Sequence, residues 1–210
     1  IEISGEIRQV KSLVENIVIK RKISTAMFKN EIRVTDTIIN EGQTKRPFMI
    51  LHHMNFGYPL VNPNCEFIVP MKSTEGFNEY CEKRKEQCLQ IPEPDNSYIE
   101  ETYIHKVNSK NNRSGFCIIN DKENPGYGVS VTYPTDVLHT LGQNNFFREK
   151  EYFIALEPCN SEIKGADYEQ EIGTLHFIEP GETICIDLII KLDNETTSLK
   201  KEIENLITNH

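Results

Sequence analysis

The chain has 210 residues and carries 23 Lys and Arg against 32 Asp and Glu, which gives a net charge of −9 at pH 7. Hydrophobic residues make up 38% and charged residues 26%, a composition typical of a globular domain and unlike that of a disordered chain. So acidic a chain has no general electrostatic attraction for nucleic acid or anionic membrane, and no apolar run reaches the roughly 18 residues of a transmembrane helix.

The first residues alternate like a strand, with Ile1 and Ile3 on one face. They include neither an initiator Met nor the apolar core of a signal peptide, and we interpret this start as that of an N-terminally truncated fragment. Six cysteines are scattered along the chain without a CxxC spacing. Scattered cysteines in a chain of this length are typical of a reduced protein, so the expected location is cytoplasmic.

Residues 14–39 contain alternating β-branched residues, which predict strands in a half-buried sheet. The next apolar run, residues 48–61, predicts a further strand. On an extended strand His53 and Asn55 share a face and lie about 7 Å apart, whereas His52 faces the opposite, apolar side. The first pair can point into a cleft and bind hydroxyl groups. Alternatively, both histidines are core residues with backbone partners.

Residues 72–97 are rich in charge and predict a short polar helix or a decorated loop. Strands are predicted again at residues 98–107, 115–120 and 127–133. On the first of these, Glu101, Tyr103 and His105 share one face and could line the same cleft as His53.

Residues 152–159 predict a strand in which Phe153, Ala155 and Glu157 share one face. A carboxylate at the end of an apolar strand is costly to bury without a partner, and the small Ala155 leaves room for a ligand to approach. Alternatively, Glu157 lies on an edge strand and faces water.

The last strands are predicted within residues 173–192, and only the tail has a helical pattern. That pattern places Leu199, Ile203, Leu206 and Ile207 on one side of a helix. We therefore predict an all-β fold, a single sandwich of mostly antiparallel strands over residues 1–192, followed by a short helix within 193–210.

The histidines show no HxH or HExxH spacing, and the chain contains neither a P-loop nor a nucleophile elbow. We therefore expect neither a metal nor another cofactor.

Three motifs resemble the aldose 1-epimerase-like proteins of the galactose mutarotase superfamily, and most closely their DUF4432 branch. They run, in chain order, from Asp36 to Gly42 (DTIINEG), from Leu51 to Leu60 (LHHMNFGYPL) and from Tyr152 to Pro158 (YFIALEP). The resemblance covers residues 3–192 and implies an antiparallel β-supersandwich with a sugar cleft on its concave face.

The resemblance also implies roles for individual residues. His53 would protonate the ring oxygen of a sugar, Glu157 would take the proton of the anomeric hydroxyl, and Asn55 would contact a sugar hydroxyl. Further substrate contacts are predicted at Glu101, His105 and Gln143. Opening a hemiacetal needs one proton added and one removed, which suits an imidazole and a carboxylate, and burial would raise the pKa of Glu157.

This chain departs from the family at two points. It lacks an N-terminal stretch that carries further Arg and His contacts, and it contains no Trp, so any stacking on a sugar must come from Phe or Tyr. Three functions therefore stay open: an epimerase, a carbohydrate-binding module without catalysis, and another isomerase or lyase on the same scaffold. The expected partners are a small sugar and, at exposed sheet edges, a second copy or another chain.

Overall fold

A computed structural model describes residues 1–12, 14–122 and 126–207, and strands account for most of their regular structure. The strands are β1 Glu2–Lys11, β2 Glu15–Ser24, β3 Glu31–Asn40, β4 Arg46–Pro47, β5 Met54–Gly57, β6 Glu66–Ile68, β7 Met71–Gly76, β8 Glu101–Val107, β9 Arg113–Asn120, β10 Tyr127–Pro134, β11 Thr140–Arg148, β12 Glu151–Cys159, β13 Phe177–Ile178 and β14 Thr183–Asp193. The helices are α1 Glu79–Arg84, α2 Ala166–Glu171 and α3 Thr196–Ile207. Within the described ranges, no helix is long and apolar enough to cross a membrane.

Two large sheets form a sandwich. The seven-stranded sheet has the order β1-β2-β3-β14-β10-β9-β6, and the five-stranded sheet has the order β5-β12-β11-β8-β7. The strand pairs in both sheets are antiparallel. A short pair of β4 and β13 lies beside them. The predicted antiparallel β-sandwich is therefore confirmed.

The core lies between the two large sheets. On β14, Ile186 and Leu188 are buried in it, and Ile184 and Ile190, which share the same face of the strand, pack against it. The five-stranded sheet contributes Leu156 and its neighbours from the facing side. Burying side chains of this size stabilises the fold by about 1.5–3 kcal/mol each.

Cross-strand register separates the two faces of the five-stranded sheet. Leu156 is opposite Gln143, and both therefore lie on the inner face, toward the core. Glu157 is opposite Gly142, so these two lie on the other side, which we call the outer face. The candidate site is on this outer face.

The C-terminal helix α3 packs on β9 and β10 of the seven-stranded sheet through Leu199 and Ile203, both almost fully buried. Two glycines make room for it. A Cβ at Gly115 would lie 3.0 Å from Cδ1 of Ile203, and one at Gly128 would lie 3.0 Å from Cδ1 of Leu199. The predicted helix is confirmed, although the side chain of Ile207 and residues 208–210 lie outside the described residues.

Several strand predictions differ from the structure. The strand predicted within residues 48–61 is reduced to β5, and β4, β6, β7 and β11 were not predicted as strands. The middle of β11, residues 142–145, reads Gly-Gln-Asn-Asn, which is typical of a turn. Here the buried amides of Gln143 and Asn145 both donate to the carbonyl of Cys88, so tertiary hydrogen bonds outweigh local preference.

Candidate active site

His53 and Glu157 meet on the outer face of the five-stranded sheet, although 104 positions separate them along the chain. The Nε2 atom of His53 lies 2.9 Å from Oε1 of Glu157. The imidazole and the carboxylate are therefore in direct contact. The imidazole is open to solvent, with its side chain 51% exposed, whereas that of Glu157 is 11% exposed.

Burial sets the electrostatics of Glu157. This residue lies on β12, an inner strand between β5 and β11, so the alternative of an edge-strand glutamate facing water is wrong. Burial raises the pKa of its carboxyl, as expected from the sequence, and the nearby His53 offsets part of that rise. A glutamate held in this way is a stronger base at neutral pH than one in water.

Gly142 leaves the space that the Glu157 carboxylate occupies. A Cβ at this position would lie 3.0 Å from Oε2 of Glu157, 3.3 Å from its Cβ and 3.4 Å from Cδ1 of Ile163. Glu157 and Ile163 thus both lie close to Gly142. A side chain at this position would displace the carboxylate.

His52 anchors the chain that carries His53. Its side chain is buried, and its Nε2 lies 2.9 Å from Oδ2 of Asp36 on β3. Its backbone N–H donates to the carbonyl of Pro158 at 3.0 Å. The prediction that His52 faces away from His53 is confirmed, and the segment is tied both to β12 and to the opposite sheet.

Asp36 is fully buried and accepts two hydrogen bonds from the guanidinium of Arg21, at 2.7 and 2.6 Å. Burial alone would raise the pKa of Asp36, but the hydrogen bonds from Arg21 and His52 outweigh it and lower the pKa to about 2. This role of Asp36 was not predicted from the sequence. The sequence pattern that could have identified it is a charged residue between Val34 and Ile38 on the apolar face of a predicted strand.

A second row of outer-face residues lies beside the pair. Asn55 is exposed and pairs with Ala155 across β5 and β12, and Ala155 pairs with Asn144 on β11. The amide nitrogen of Asn144 donates to Glu100 at 2.6 Å, while its Oδ1 atom is buried without a hydrogen-bond partner in the described residues. Two amides therefore flank the small Ala155.

A third row on the same face is aromatic. Phe153 pairs with Gly57 on β5 and with Phe146 on β11. The two phenyl rings are nearly parallel, with an interplanar angle of 13° and centroids 5.7 Å apart. The guanidinium of Arg148 lies 5.0 Å from the centroid of Phe146.

The structure does not bring Glu101, His105 and Gln143 to the pair. They do share a face, but register places that face inward, opposite to the one that carries Glu157. Nε2 of His105 lies 2.8 Å from Oε1 of Gln143, and Glu101 pairs with Arg84 and accepts from Tyr103. Burial lowers the pKa of His105 to about 4, which favours a neutral structural histidine. Strand alternation showed which residues share a face but not which face lines the cleft.

The described residues contain no group of three or more His, Cys, Asp and Glu that could hold a metal ion. His139 and His176 approach each other, with their Nε2 atoms 3.4 Å apart, but as a pair without a third ligand. A cavity of about 410 Å³ lies elsewhere, beside Arg8 and Gln43, and includes neither His53 nor Glu157. The candidate site is therefore identified by its chemistry and not by a deep pocket.

Comparison with known proteins places these features in a family. The family described as a domain of unknown function, DUF4432, matches residues 1–192. No curated protein matches the chain.

Solved structures share the fold. A candidate aldose 1-epimerase from Klebsiella pneumoniae superposes with a TM-score of 0.92 at 18% identity, over 99% of this chain and 55% of that one. A galactose mutarotase-like protein from Clostridium acetobutylicum gives a TM-score of 0.69 at 13% identity, over 92% and 62% of the two chains. A galactose mutarotase related enzyme from Lactobacillus acidophilus gives 0.66 at 13% identity, over 91% and 68%. The present chain thus spans about half the length of the Klebsiella protein, and at these identities the likeness shows the fold alone.

Proposed function

The chain belongs to the DUF4432 family, and from this premise we propose that it is an aldose 1-epimerase-like isomerase, which opens and recloses the ring of a reducing sugar. The observation that carries the proposal is the contact of His53 with the buried Glu157 on one sheet face. The names of the structural neighbours, aldose 1-epimerase and galactose mutarotase-like protein, support a sugar as the substrate.

The proposed reaction uses the two groups as acid and base. The His53 imidazolium donates its Nε2 proton to the ring oxygen while Glu157 removes the proton of the anomeric hydroxyl, and the bond between the anomeric carbon and the ring oxygen breaks. The aldehyde rotates, and the ring closes on its other face. Glu157 then returns its proton to the carbonyl oxygen and His53 recovers its own, so neither group is consumed. Each proton transfer contributes about 10²–10⁴-fold to the rate.

The direct contact of the two groups fits this chemistry. The ring oxygen and the anomeric hydroxyl oxygen are attached to the same carbon, so an acid and a base that serve them must lie side by side. In the free protein Nε2 of His53 and Oε1 of Glu157 are 2.9 Å apart. A bound sugar replaces this contact with one hydrogen bond to each group, and the exposed imidazole is the one that moves.

The residues of the second row suit a sugar ring bound beside this pair. Asn55 offers an exposed amide beside the small, buried Ala155. Amides both donate and accept hydrogen bonds, which matches the hydroxyl groups of a sugar.

Carbohydrate binding without catalysis is the second candidate function. It is favoured by one observation, that the chain contains no Trp to stack on a sugar ring. The same face would then hold a sugar without accelerating its ring opening.

Magnetisation exchange between the two anomers of an aldose, measured by NMR on a panel of sugars, tests the proposal. We expect the wild type to accelerate exchange and Glu157→Gln to lower the catalysed rate by at least about 100-fold. Glu151→Gln is the matched control, because Glu151 lies on the same strand and is exposed. Equal acceleration by the wild type and Glu157→Gln would refute the acid–base assignment. Sugar binding without any exchange would support the second candidate.

A further inference from the structure

We propose that the outer face binds a second saccharide ring on the Phe146 and Phe153 rings, so that the preferred substrate is a reducing disaccharide. This inference rests on the proposed function for the position of the first ring. It adds a subsite in the third row, where Phe153 pairs with both Gly57 and Phe146.

The spacing of outer-face residues along β12 separates the positions of the two rings. Glu157, Ala155 and Phe153 are successive outer-face residues, and each step of two residues advances by about 6.6 Å. A hexose ring covers roughly one such step. With its anomeric carbon at Glu157, the first ring extends along the row of the exposed Asn55 and the buried Ala155. It ends short of Phe153, which is about 13 Å from Glu157 along the strand.

The aromatic side chains of the third row suit the apolar face of a second sugar ring. Phe146 and Phe153 are partly exposed, and their nearly parallel rings form an apolar strip beside the polar second row. The C–H groups on one face of a pyranose are apolar and pack well on aromatic rings, while its hydroxyl groups stay at the rim. Gly57 has no side chain to cover the strip from the β5 side.

Arg148 supplies polar contacts next to the aromatic rings. Its Nε–H donates to the carbonyl of Tyr98 at 2.9 Å, and its guanidinium lies over the ring of Phe146. All seven arginines lie in the described part of the chain, and each of the other six pairs with an Asp or Glu. Among the described residues Arg148 has no acidic partner, so the remaining N–H groups of its planar guanidinium can donate to hydroxyl groups of a second ring.

Anomer exchange kinetics with glucose and galactose, compared with the reducing disaccharides maltose, cellobiose and lactose, test this subsite. We expect a lower KM for at least one disaccharide than for its reducing-end monosaccharide. Phe153→Ala and Phe146→Ala should each raise that disaccharide KM by about two- to ten-fold and leave the monosaccharide KM unchanged. Phe28→Ala is the matched control, because Phe28 is an exposed aromatic residue in the β2–β3 turn.

Calorimetric binding of the same sugars separates this inference from the proposed function. If no sugar shows catalysed exchange, the epimerase proposal fails, while a disaccharide-specific loss of affinity in Phe153→Ala still supports the subsite. Equal KM and equal affinity for monosaccharides and disaccharides in the wild type would overturn the subsite, as would a Phe153→Ala variant that binds both classes as the wild type does.

Discussion

At the residue scale, the behaviour of Glu157 follows from its surroundings. Its carboxylate lies in space left by Gly142, is largely buried and contacts one imidazole. The sequence showed a carboxylate on an apolar strand and a histidine on another, but the 2.9 Å contact depends on pairing between β5 and β12, which single-strand patterns do not specify. The roles of His53, Asn55 and Glu157 remain proposals that rest on this geometry.

The raised pKa of Glu157 makes the proposed reaction sensitive to acid. The base must be ionised, so kcat/KM for anomer exchange is lost as the pH falls through the pKa of Glu157. Because burial raises that pKa, the loss begins at a higher pH than the ordinary value of about 4.3 for glutamate would give. A pH–rate profile corrected for uncatalysed exchange measures this loss of kcat/KM. An apparent pKa at or below the ordinary value for glutamate would contradict the assignment of the base.

At the element scale, buried polar contacts align the two sheets around the site. Asp36 on β3 binds His52, the residue before His53, and Arg21 on β2 holds Asp36. The alternation of β3 predicted a strand, but the partner of its charged residue could not be predicted, because it lies in the other sheet. The same limit explains β11, whose turn-like residues become a strand only when Cys88 satisfies the amides of Gln143 and Asn145.

Asp36→Asn tests the contribution of this contact to stability. The pKa of Asp36 is lowered to about 2 in the folded state from 3.8, so its charged form stabilises the fold above pH 4, and that contribution is lost as the pH falls toward 2. We expect the variant to lose on the order of 2 kcal/mol at pH 7 and to show a weaker fall in stability between pH 4 and pH 2. Urea unfolding at several pH values measures both effects.

Asp187→Asn is the matched control for this prediction. Asp187 also accepts from an arginine, Arg33, but both side chains are about one-third or more exposed. Exposed ion pairs contribute about 0–1 kcal/mol, so this variant should lose less. Equal losses in the two variants at every pH would show that the buried contact has no special role.

At the scale of the whole molecule, the antiparallel sandwich and the C-terminal helix could be predicted from the sequence, because alternation and the helical stripe are local patterns. Which side of the five-stranded sheet carries the site could not be predicted, because alternation does not distinguish the two faces. Glu101, His105 and Gln143 were therefore predicted as substrate contacts although they lie on the inner face. Strand β1, at one edge of the seven-stranded sheet, exposes Ile3 and Ile7. Pairing of this edge with a second copy or another chain stays a prediction, as does a reduced cytoplasmic setting.

The central claim is that His53 and Glu157 act on one anomeric centre. A crystal structure of the Glu157→Gln variant with a bound reducing sugar tests it most directly. We predict that the ring oxygen lies within hydrogen-bond distance of Nε2 of His53, that the anomeric hydroxyl contacts the substituted side chain at position 157, and that the ring lies beside Asn55. A sugar bound on another face, or bound while His53 and position 157 still contact each other, would contradict the account.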